Sequence, residues 1–424
     1  MKLELDIINI KDVQFAEKTA ISDGVIYINR GELQELLQQD KRFSEADIEL
    51  AHPGESCRVV QVFDMTEPRC KIGGSGGNFP GVLGRVETAG EGRTRVLRGA
   101  VVDAVDFTAG PRGLLIEMSG PGTELGPYGN LQNVVLLCRP AEGVTLHEYQ
   151  NALRIAGLKT AVYLAEAAGD LQADRTEVYN LGPLSEAGKG LEHLPRIAYV
   201  YQIHSIQHSV DRPQNEPIFY GNNVSGLLPT IVHPNEILDG AILRGYFCQG
   251  QVTYAIQNHP LVHELYSRHG KELCFVGVVA TVAQVTQPER ERGAAIAAKL
   301  VKSVLGADGA ILTKIGGGAP HVDLAQTCEI CEELGVKTTV LVADQSTSGT
   351  SEGALIFNTP RADAIVNVGG FSTATTLPPV KRVIGGPVTF SNNTPADGEI
   401  VVTTHLINGA LSQIGGSRQM RREF

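Results

Sequence analysis

The chain has 424 residues, of which 42% are hydrophobic, 20% charged and 5% aromatic, and its net charge at pH 7 is −11. The acidic balance excludes a typical nucleic-acid binder, which presents a basic surface, and no stretch approaches the ~20 apolar residues that cross a bilayer. The N-terminus lacks the apolar core of a signal peptide, and seven scattered cysteines do not form a disulfide pattern. The sequence therefore predicts a cytoplasmic protein of about three domains.

Residues 1–140 predict a β-rich domain. Leu3, Leu5 and Ile7 alternate with acidic residues, which is the period of a half-buried strand, and residues 25–28 form a second strand, with a hairpin as one interpretation. Further strands are predicted at 58–63, 96–102, 114–118 and 134–138, and a short helix at 31–39. The glycine-rich residues 73–77 lie between strands, which favours β-turns over a phosphate-binding loop.

Residues 141–247 predict one long helix followed by a polar strand and loop region. Thr145 and Glu148 have the spacing of a capping box, and apolar residues continue at helical spacing until Gly169. Residues 183–195 predict a surface connection, and residues 196–205 a strand. The polar region then contains His204, His208, Asn222, Asn223, His233, Asn235, Glu236 and Asp239. These residues indicate either a site for proton transfer or a solvated loop.

Residues 248–424 predict an α/β domain with a Rossmann-like parallel sheet, so the whole chain is α/β (α+β overall). Strands at 275–282, 309–314, 338–343 and 364–368 alternate with helices at 288–305 and 320–334. Gly316 to Gly318 follow a strand and precede a helix, which is typical of a tight turn or of an anion-binding loop. Cys328 and Cys331 lie on one helix face, where packing is favoured over a redox pair.

Cys248 is the most unusual residue, because Gly245 and Gly250 give its backbone exceptional freedom. Its thiol could attack the preceding Phe247 carbonyl, convert the amide to a thioester and cut the chain, which would leave a pyruvoyl group on the new N-terminus. The alternative is an ordinary small apolar residue in a tight turn. A metal site is disfavoured, since the one histidine pair at helical spacing, His259 and His263, has Pro260 between its members.

The central part of the chain resembles a known family. Residues 232–240 (VHPNEILDG), Cys248, residues 256–260 (IQNHP) and residues 264–273 (ELYSRHGKEL) are similar to the proprotein subunit of component B of the glycine, sarcosine and betaine reductases. The resemblance extends to residues 90–94 (GEGRT) and to the spacing of Cys328 and Cys331. It favours the reactive interpretation of Cys248.

The resemblance implies a precursor that cuts itself between Phe247 and Cys248, giving a downstream subunit that begins with a pyruvoyl cofactor. The substrate is a small amine (glycine, sarcosine or betaine), and the keto group condenses with the nitrogen of glycine or sarcosine and weakens its C–N bond. Betaine, a quaternary amine, cannot form an imine, so this step does not transfer to it unchanged. It further implies a hetero-oligomer with a selenocysteine-containing component B subunit, and transfer of the carboxymethyl group to selenoprotein A.

His233, Asn235 and Asp239 are the candidates for proton transfer and for polarising the Phe247 carbonyl, because they lie close to the predicted cut in sequence. No metal, nucleic acid or membrane is expected. Two alternative functions stay open: an unprocessed scaffold subunit of the same complex, and an α/β protein that binds a small anion at Gly316 to Gly318.

Overall fold

A computed structural model describes residues 1–203, 217–224, 226–245, 251–316, 318–344, 359–390, 393–417 and 422–423. Phe247 and Cys248 lie outside the described residues, as do His204, His208 and Gly317. The chain on both sides of the predicted cut is described, up to Gly245 and from Gln251.

The described residues form a mixed α/β protein. The strands are β1 (Lys2–Asn9), β2 (Asp12–Phe15), β3 (Ala20–Ser22), β4 (Val25–Ile28), β5 (Phe43–Ala51), β6 (Cys57–Thr66), β7 (Arg69–Gly73), β8 (Gly92–Arg98), β9 (Ala100–Val105), β10 (Leu114–Glu117), β11 (Gln132–Pro140), β12 (Arg175–Asn180), β13 (Arg196–Gln202), β14 (Thr230–Val232), β15 (Cys274–Thr281), β16 (Gly309–Thr313), β17 (Lys337–Asp344), β18 (Ala364–Gly370), β19 (Ala374–Leu377), β20 (Arg382–Ile384), β21 (Thr389–Phe390), β22 (Thr394–Pro395), β23 (Ile400–Thr403) and β24 (Arg422–Glu423). The helices are α1 (Arg30–Gln38), α2 (Pro121–Leu125), α3 (Leu146–Glu166), α4 (Pro234–Leu238), α5 (Thr253–Gln257), α6 (Pro260–Arg268), α7 (Gln287–Lys299) and α8 (Ala319–Glu333). No described helix is long and apolar enough to cross a membrane.

The N-terminal part contains two main sheets, one in the order β12-β1-β8-β7 and one in the order β10-β6-β9-β11-β5. Helix α3 packs on one face of the second sheet, where Tyr149, Leu153 and Leu164 join its core. The predicted capping box at Thr145 and Glu148 is present and begins α3. The β-rich prediction is therefore confirmed for this part of the chain.

Two details of the N-terminal prediction are wrong. Strand β1 does not pair with β4 but lies between β8 and β12, and the hairpin is instead formed by β3 and β4. The strand predicted at 96–102 is two strands, because Gly99 has φ of 104° and separates β8 from β9. A left-handed backbone of this kind ends a strand and suits glycine.

The C-terminal part is built on a sheet in the order β14-β15-β13-β16-β17-β18-β24. Its strands from β15 to β18 are parallel, and β14 and β24 are antiparallel edge strands. If the five parallel strands are numbered by their order along the chain, they lie across the sheet in the order 2-1-3-4-5. The direction in which strands are added to the sheet therefore reverses between β13 and β16. The predicted parallel α/β sheet is present, whereas its narrower description as Rossmann-like is not confirmed.

Helices cover both faces of this sheet. Residues of α7 and α8 pack on one face and residues of α5 and α6 on the other. Cys328 and Cys331 are fully buried in the first of these cores, and burial raises their pKa values to about 11 and about 12. Such thiols stay protonated near neutral pH, which favours packing over redox chemistry.

The end of the chain returns to the N-terminal sheet. Strand β20 pairs in parallel with β6, and the Asn408 N–H donates to the Leu115 carbonyl at 2.8 Å. The upstream and downstream halves of the chain therefore share sheets in both parts of the molecule. The predicted domain boundaries near residues 140 and 247 stay predictions.

Candidate active site

The residues on the two sides of the segment 246–250 lie close to each other, since Gly245 and Gln251 line one pocket. The Arg244 N–H donates to Thr253 Oγ1 at 3.2 Å, and the Arg244 guanidinium lies 5.1 Å from the centre of the Phe63 ring. Thr253 in turn donates its N–H and its hydroxyl to Asp64, at 2.8 and 2.7 Å. Asp64 belongs to β6, so both ends of the segment are tied to the N-terminal sheet.

A small pocket lies between the two ends of this segment. Gly245 and Gln251 line it together with Tyr201, Leu243, Arg244, Ile203, Ile256 and Ile315. Ile203 directly follows β13 and Ile315 lies two residues after β16, so the pocket is at the carboxyl ends of the strands where strand order reverses. Open α/β sheets bind their ligands at this position. We refer to it as the switch-point pocket.

Gln251 has an unusual environment in the switch-point pocket. Its side chain is only 6% exposed, and neither its amide oxygen nor its amide nitrogen has a hydrogen-bond partner among the described residues. An unsatisfied buried amide costs about 1 to 3 kcal/mol for each missing bond, so such groups usually face a ligand or a neighbouring segment.

Lys314 is buried next to the pocket. It follows β16 directly, is 0% exposed, and donates to the Gly316 carbonyl and to Gln413 Oε1, the latter at 3.2 Å. Burial lowers the pKa of Lys314 to about 7. Burial and the nearby Lys314 charge lower the pKa of His321, in the first turn of α8, to about 4.

Asp323 completes this group of buried titratable residues. Its Oδ2 accepts from Gln202 Nε2 at 2.9 Å, and its Oδ1 has no hydrogen-bond partner within the described part of the chain. Burial raises the pKa of Asp323 to about 6. Buried groups with strongly shifted pKa values are candidates for catalysis or binding.

His259 lies on the face of the sheet that α5 and α6 cover, and its ring centre is 5.1 Å from that of Tyr201, which lines the switch-point pocket. Its Nε2 lies 3.1 Å from the Tyr199 hydroxyl, which contacts Thr313 Oγ1 at 2.6 Å. Burial lowers the pKa of His259 to about 3, so the ring is neutral. His263, four residues along the chain, contacts the Tyr179 hydroxyl, and the described residues contain no group of side chains able to hold a metal ion.

The predicted site residue His233 begins α4. Its Nδ1 accepts the Asn235 N–H at 3.2 Å, and its Nε2 donates to the Gly182 carbonyl at 3.1 Å. Burial lowers the pKa of His233 to about 4, so it is a neutral helix cap near pH 7. Its described contacts are those of a structural residue.

Asn235 and Asp239 connect α4 to the N-terminal part. Asn235 donates to the carbonyls of Gly90, at 3.1 Å, and Tyr179, at 3.2 Å, and accepts from the Tyr266 hydroxyl. Asp239 accepts from Lys71, from the Thr94 hydroxyl at 2.9 Å and from the Gly90 N–H at 2.8 Å. We call His233, Asn235 and Asp239 with these partners the motif cluster.

The motif cluster brings together segments that sequence similarity singled out separately. Residues 90–94, 232–240 and 264–273 all contribute to it, although they are far apart in the chain. Gly90 has φ of 94°, and a Cβ there would lie 2.9 Å from the Glu236 nitrogen, which explains why this position is glycine. The proton-transfer role predicted for His233, Asn235 and Asp239 stays a prediction.

Sequence reasoning did not find Asp64, Gln251, Thr253, Lys314, His321 or Asp323. Two of them have a sequence signal for a functional residue. Asp64 interrupts an apolar strand and Lys314 ends one. Charged residues at such positions are rarely buried without a role. For the others, only the fold shows their proximity.

The chain matches a family over nearly its whole length. Residues 1–421 fit the family model described as glycine/sarcosine/betaine reductase component B subunits. The glycine reductase complex component B subunits alpha and beta of Acetoanaerobium sticklandii are 36% identical to it over 100% of both chains. The sarcosine reductase complex component B subunit alpha of Peptoclostridium acidaminophilum is 36% identical over 96% of this chain and 98% of its own.

The betaine reductase complex component B subunit alpha of Peptoclostridium acidaminophilum is 32% identical over 100% of both chains. No solved structure matches the chain. Similarity of this extent, without gaps in coverage, settles the family. The chain belongs to the family of glycine/sarcosine/betaine reductase component B subunits.

Proposed function

We propose that this chain is the precursor of the substrate-binding component of an amino-acid reductase and that it cuts itself between Phe247 and Cys248. The observation that carries the proposal is full-length similarity to two glycine reductase sequences, each a single chain whose name gives it two subunits, alpha and beta. One chain that yields two subunits requires a cut.

The chemistry of the cut is simple to state. Cys248 Sγ attacks the Phe247 carbonyl carbon and replaces the amide by a thioester. Loss of the Cα proton of residue 248 then breaks its Cβ–S bond and releases the upstream chain as a thiocarboxylate. Water adds to the dehydroalanine that remains, through its imine form, and ammonia leaves. The downstream chain thereby begins with a pyruvoyl group, and no oxidant or reductant is consumed.

The residues around the switch-point pocket fit this group. A pyruvoyl ketone supplies a carbonyl that condenses with a substrate amine and withdraws electrons from its C–N bond. The Gln251 amide, next in the chain to the segment, has no hydrogen-bond partner among the described residues, and Thr253 downstream of the segment is bonded to Asp64. Tyr201, Ile203, Ile256 and Ile315 give the pocket an apolar lining, which limits the access of water.

The interleaved fold predicts that the two fragments stay together after the cut. Strand β13, upstream of residue 247, lies between β15 and β16, which are downstream. Conversely, β20 from the downstream half pairs with β6 from the upstream half. Separation would break the hydrogen bonds of two sheets, so the cut protein should keep its native mass.

We extend the proposal to the partners and substrate. The substrate is glycine, sarcosine or betaine, as in the names of the relatives, and of these only glycine and sarcosine can condense with a ketone. As the family resemblance implies, the reductant arrives through a selenocysteine-containing subunit and selenoprotein A in the cytoplasm. In this proposal, His233, Asn235 and Asp239 hold α4, which precedes the segment in the chain. Their role in proton transfer stays a prediction.

Intact mass under denaturing conditions tests the cut. We expect two fragments of roughly 26 and 19 kDa, in proportion to their lengths. Cys248→Ala should remain one chain, since it has no nucleophile, whereas Cys331→Ala, which removes a remote buried thiol, should be cut normally. One intact species, with or without the selenocysteine-containing partner, would contradict the proposal and favour the unprocessed scaffold.

A further inference from the structure

We propose that Lys314 binds the carboxylate of the substrate, an assignment that rests on the proposed function and adds a binding group to it. Glycine, sarcosine and betaine differ in the methyl groups on nitrogen, and each has a carboxylate. A site that recognises the carboxylate therefore suits every member of this substrate class.

The position of Lys314 is the first argument. It directly follows β16, next to the reversal of strand order, and the adjacent Ile315 lines the switch-point pocket. The same pocket is lined by Gly245 and Gln251, on either side of the segment with the proposed ketone. Lys314 is thus at the same end of the parallel strands as the residues that flank the proposed ketone.

The partners of Lys314 are the second argument. Its ammonium is fully buried and contacts two neutral oxygens, the Gly316 carbonyl and Gln413 Oε1, with no carboxylate among its contacts in the described residues. A buried cation is costly unless an anion accompanies it. An incoming carboxylate supplies that charge, and the flexible lysine side chain can turn toward it from Gly316.

Protonation is linked to this binding. His321 faces Lys314 from α8, whereas Gln413, which contacts it from the C-terminal turn, is neutral. Since burial lowers the pKa of Lys314 to about 7, its amine is mostly neutral at pH 8. A bound carboxylate favours the charged form and raises this pKa, so binding at pH 8 should take up nearly one proton, roughly 0.9.

Calorimetric titration of the full-length chain with sodium acetate tests the assignment. Acetate has no amine and cannot condense with a ketone, and acetamide is its neutral counterpart. Titrations at pH 8 in two buffers of different ionisation enthalpy, against sodium chloride of equal ionic strength, give the affinity and the proton uptake. We expect acetate to bind at least about tenfold more tightly than acetamide, with proton uptake.

Lys314→Met should lower the acetate affinity by about ten- to a hundredfold and abolish the proton uptake, without changing the affinity for acetamide. Lys299→Met removes an exposed lysine of α7 and should behave as wild type. Wild-type acetate affinity in Lys314→Met would overturn the assignment. Equal binding of acetate and acetamide, or no proton uptake by the wild type, would also overturn it, even if the variant does not fold.

Repeating the titration with Cys248→Ala separates this inference from the proposed function. The carboxylate contact does not need the ketone, so acetate should bind the uncut variant as it binds the wild type. A chain that is never cut but shows the Lys314-dependent binding would refute self-cleavage alone. A chain that is cut normally but binds acetate independently of Lys314 would refute the carboxylate site alone.

Discussion

The motif cluster and the switch-point pocket differ in how their polar atoms are used. In the motif cluster, Asp239 has three donors and Asn235 contacts two carbonyls and a tyrosine. In the switch-point pocket, the Gln251 amide has no partner in the described structure, and the buried Lys314, which precedes the pocket residue Ile315, has no carboxylate partner there. Satisfied groups hold a fold together, whereas unsatisfied ones are available for a ligand.

This difference shows that residues close to the proposed cut in sequence need not be those whose polar groups are available for a ligand. His233, Asn235 and Asp239 precede the proposed cut by few residues, and their contacts hold α4 against the N-terminal part. Lys314 is far from the proposed cut in sequence, and it follows β16, the neighbour of β13, at the end of the sheet where the switch-point pocket lies. Substitutions in the motif cluster should therefore change stability first, and those around the pocket should change function first.

Asp239→Ala should have the largest effect on stability. It leaves the Lys71 ammonium, whose side chain is 9% exposed, without its carboxylate partner, and breaking a buried pair in this way costs about 3 to 5 kcal/mol. The midpoint of urea unfolding measures the loss. The control is Glu264→Ala, which breaks an exposed pair with Arg268 and should cost at most about 0.5 kcal/mol.

If Asp239→Ala lowered the free energy of unfolding no more than Glu264→Ala does, the contrast between the motif cluster and the switch-point pocket would not hold. The motif cluster would then not be what holds α4, and its residues would again be free for proton transfer.

Thr253→Val should have an intermediate effect on stability and a specific effect on cleavage. It removes the hydroxyl that joins Arg244 to Asp64, which costs about 1 to 3 kcal/mol because buried polar atoms lose their partners. Without this tie the segment 246–250 is held less firmly, so fragments should appear more slowly in a time course by intact mass.

Thr253→Ser is the matched control, because it keeps the hydroxyl and should restore the wild-type rate of cleavage. If Thr253→Val were cut at the wild-type rate, at a temperature where the variant is folded, the hydrogen bonds of the Thr253 hydroxyl would not be what positions the segment.

His233→Asn should have the smallest effect at neutral pH, at most about 1 kcal/mol, since asparagine is also a good helix cap. Burial lowers the pKa of His233 to about 4, whereas an unfolded histidine titrates near ~6.5. The unfolded chain therefore binds the proton first, and the wild type should lose stability as pH falls from ~6.5 to about 4.

Urea unfolding between pH 4 and 8 measures this slope. His233→Asn should be less sensitive to acid than the wild type, while a substitution of the exposed His193 to Asn should leave the slope unchanged. Identical slopes for the wild type and His233→Asn would mean that the ring is not buried in its neutral form.

The elements of the fold were largely predictable, because they depend on local patterns. The alternation of Leu3, Leu5 and Ile7 predicts β1, and the capping box at Thr145 predicts the start of α3. Pairing was less predictable, since β1 contacts β8 and β12, which follow it by many residues. The return of β20 to β6 has no local signal at all.

The candidate site was predictable in part. The glycines around Cys248 and the family resemblance indicate the reactive segment, and Gly316 and Gly318 do lie between a strand and a helix, as expected. The chemistry around the segment depends on burial and on strand order. A lysine at position 314 is ordinary in sequence. Its burial without a carboxylate partner among the described residues becomes visible only when β13, β16 and the C-terminal turn are brought together.

The most direct measurement of the central claim is hydrazide labelling of the denatured protein, followed by peptide mapping. Self-cleavage at Phe247–Cys248 predicts one hydrazone, on the N-terminal peptide of the smaller fragment, with the sulfur of residue 248 lost, and no label in Cys248→Ala. An intact chain without label, or a smaller fragment that begins with an unmodified cysteine, would contradict the claim that this chain makes its own carbonyl cofactor.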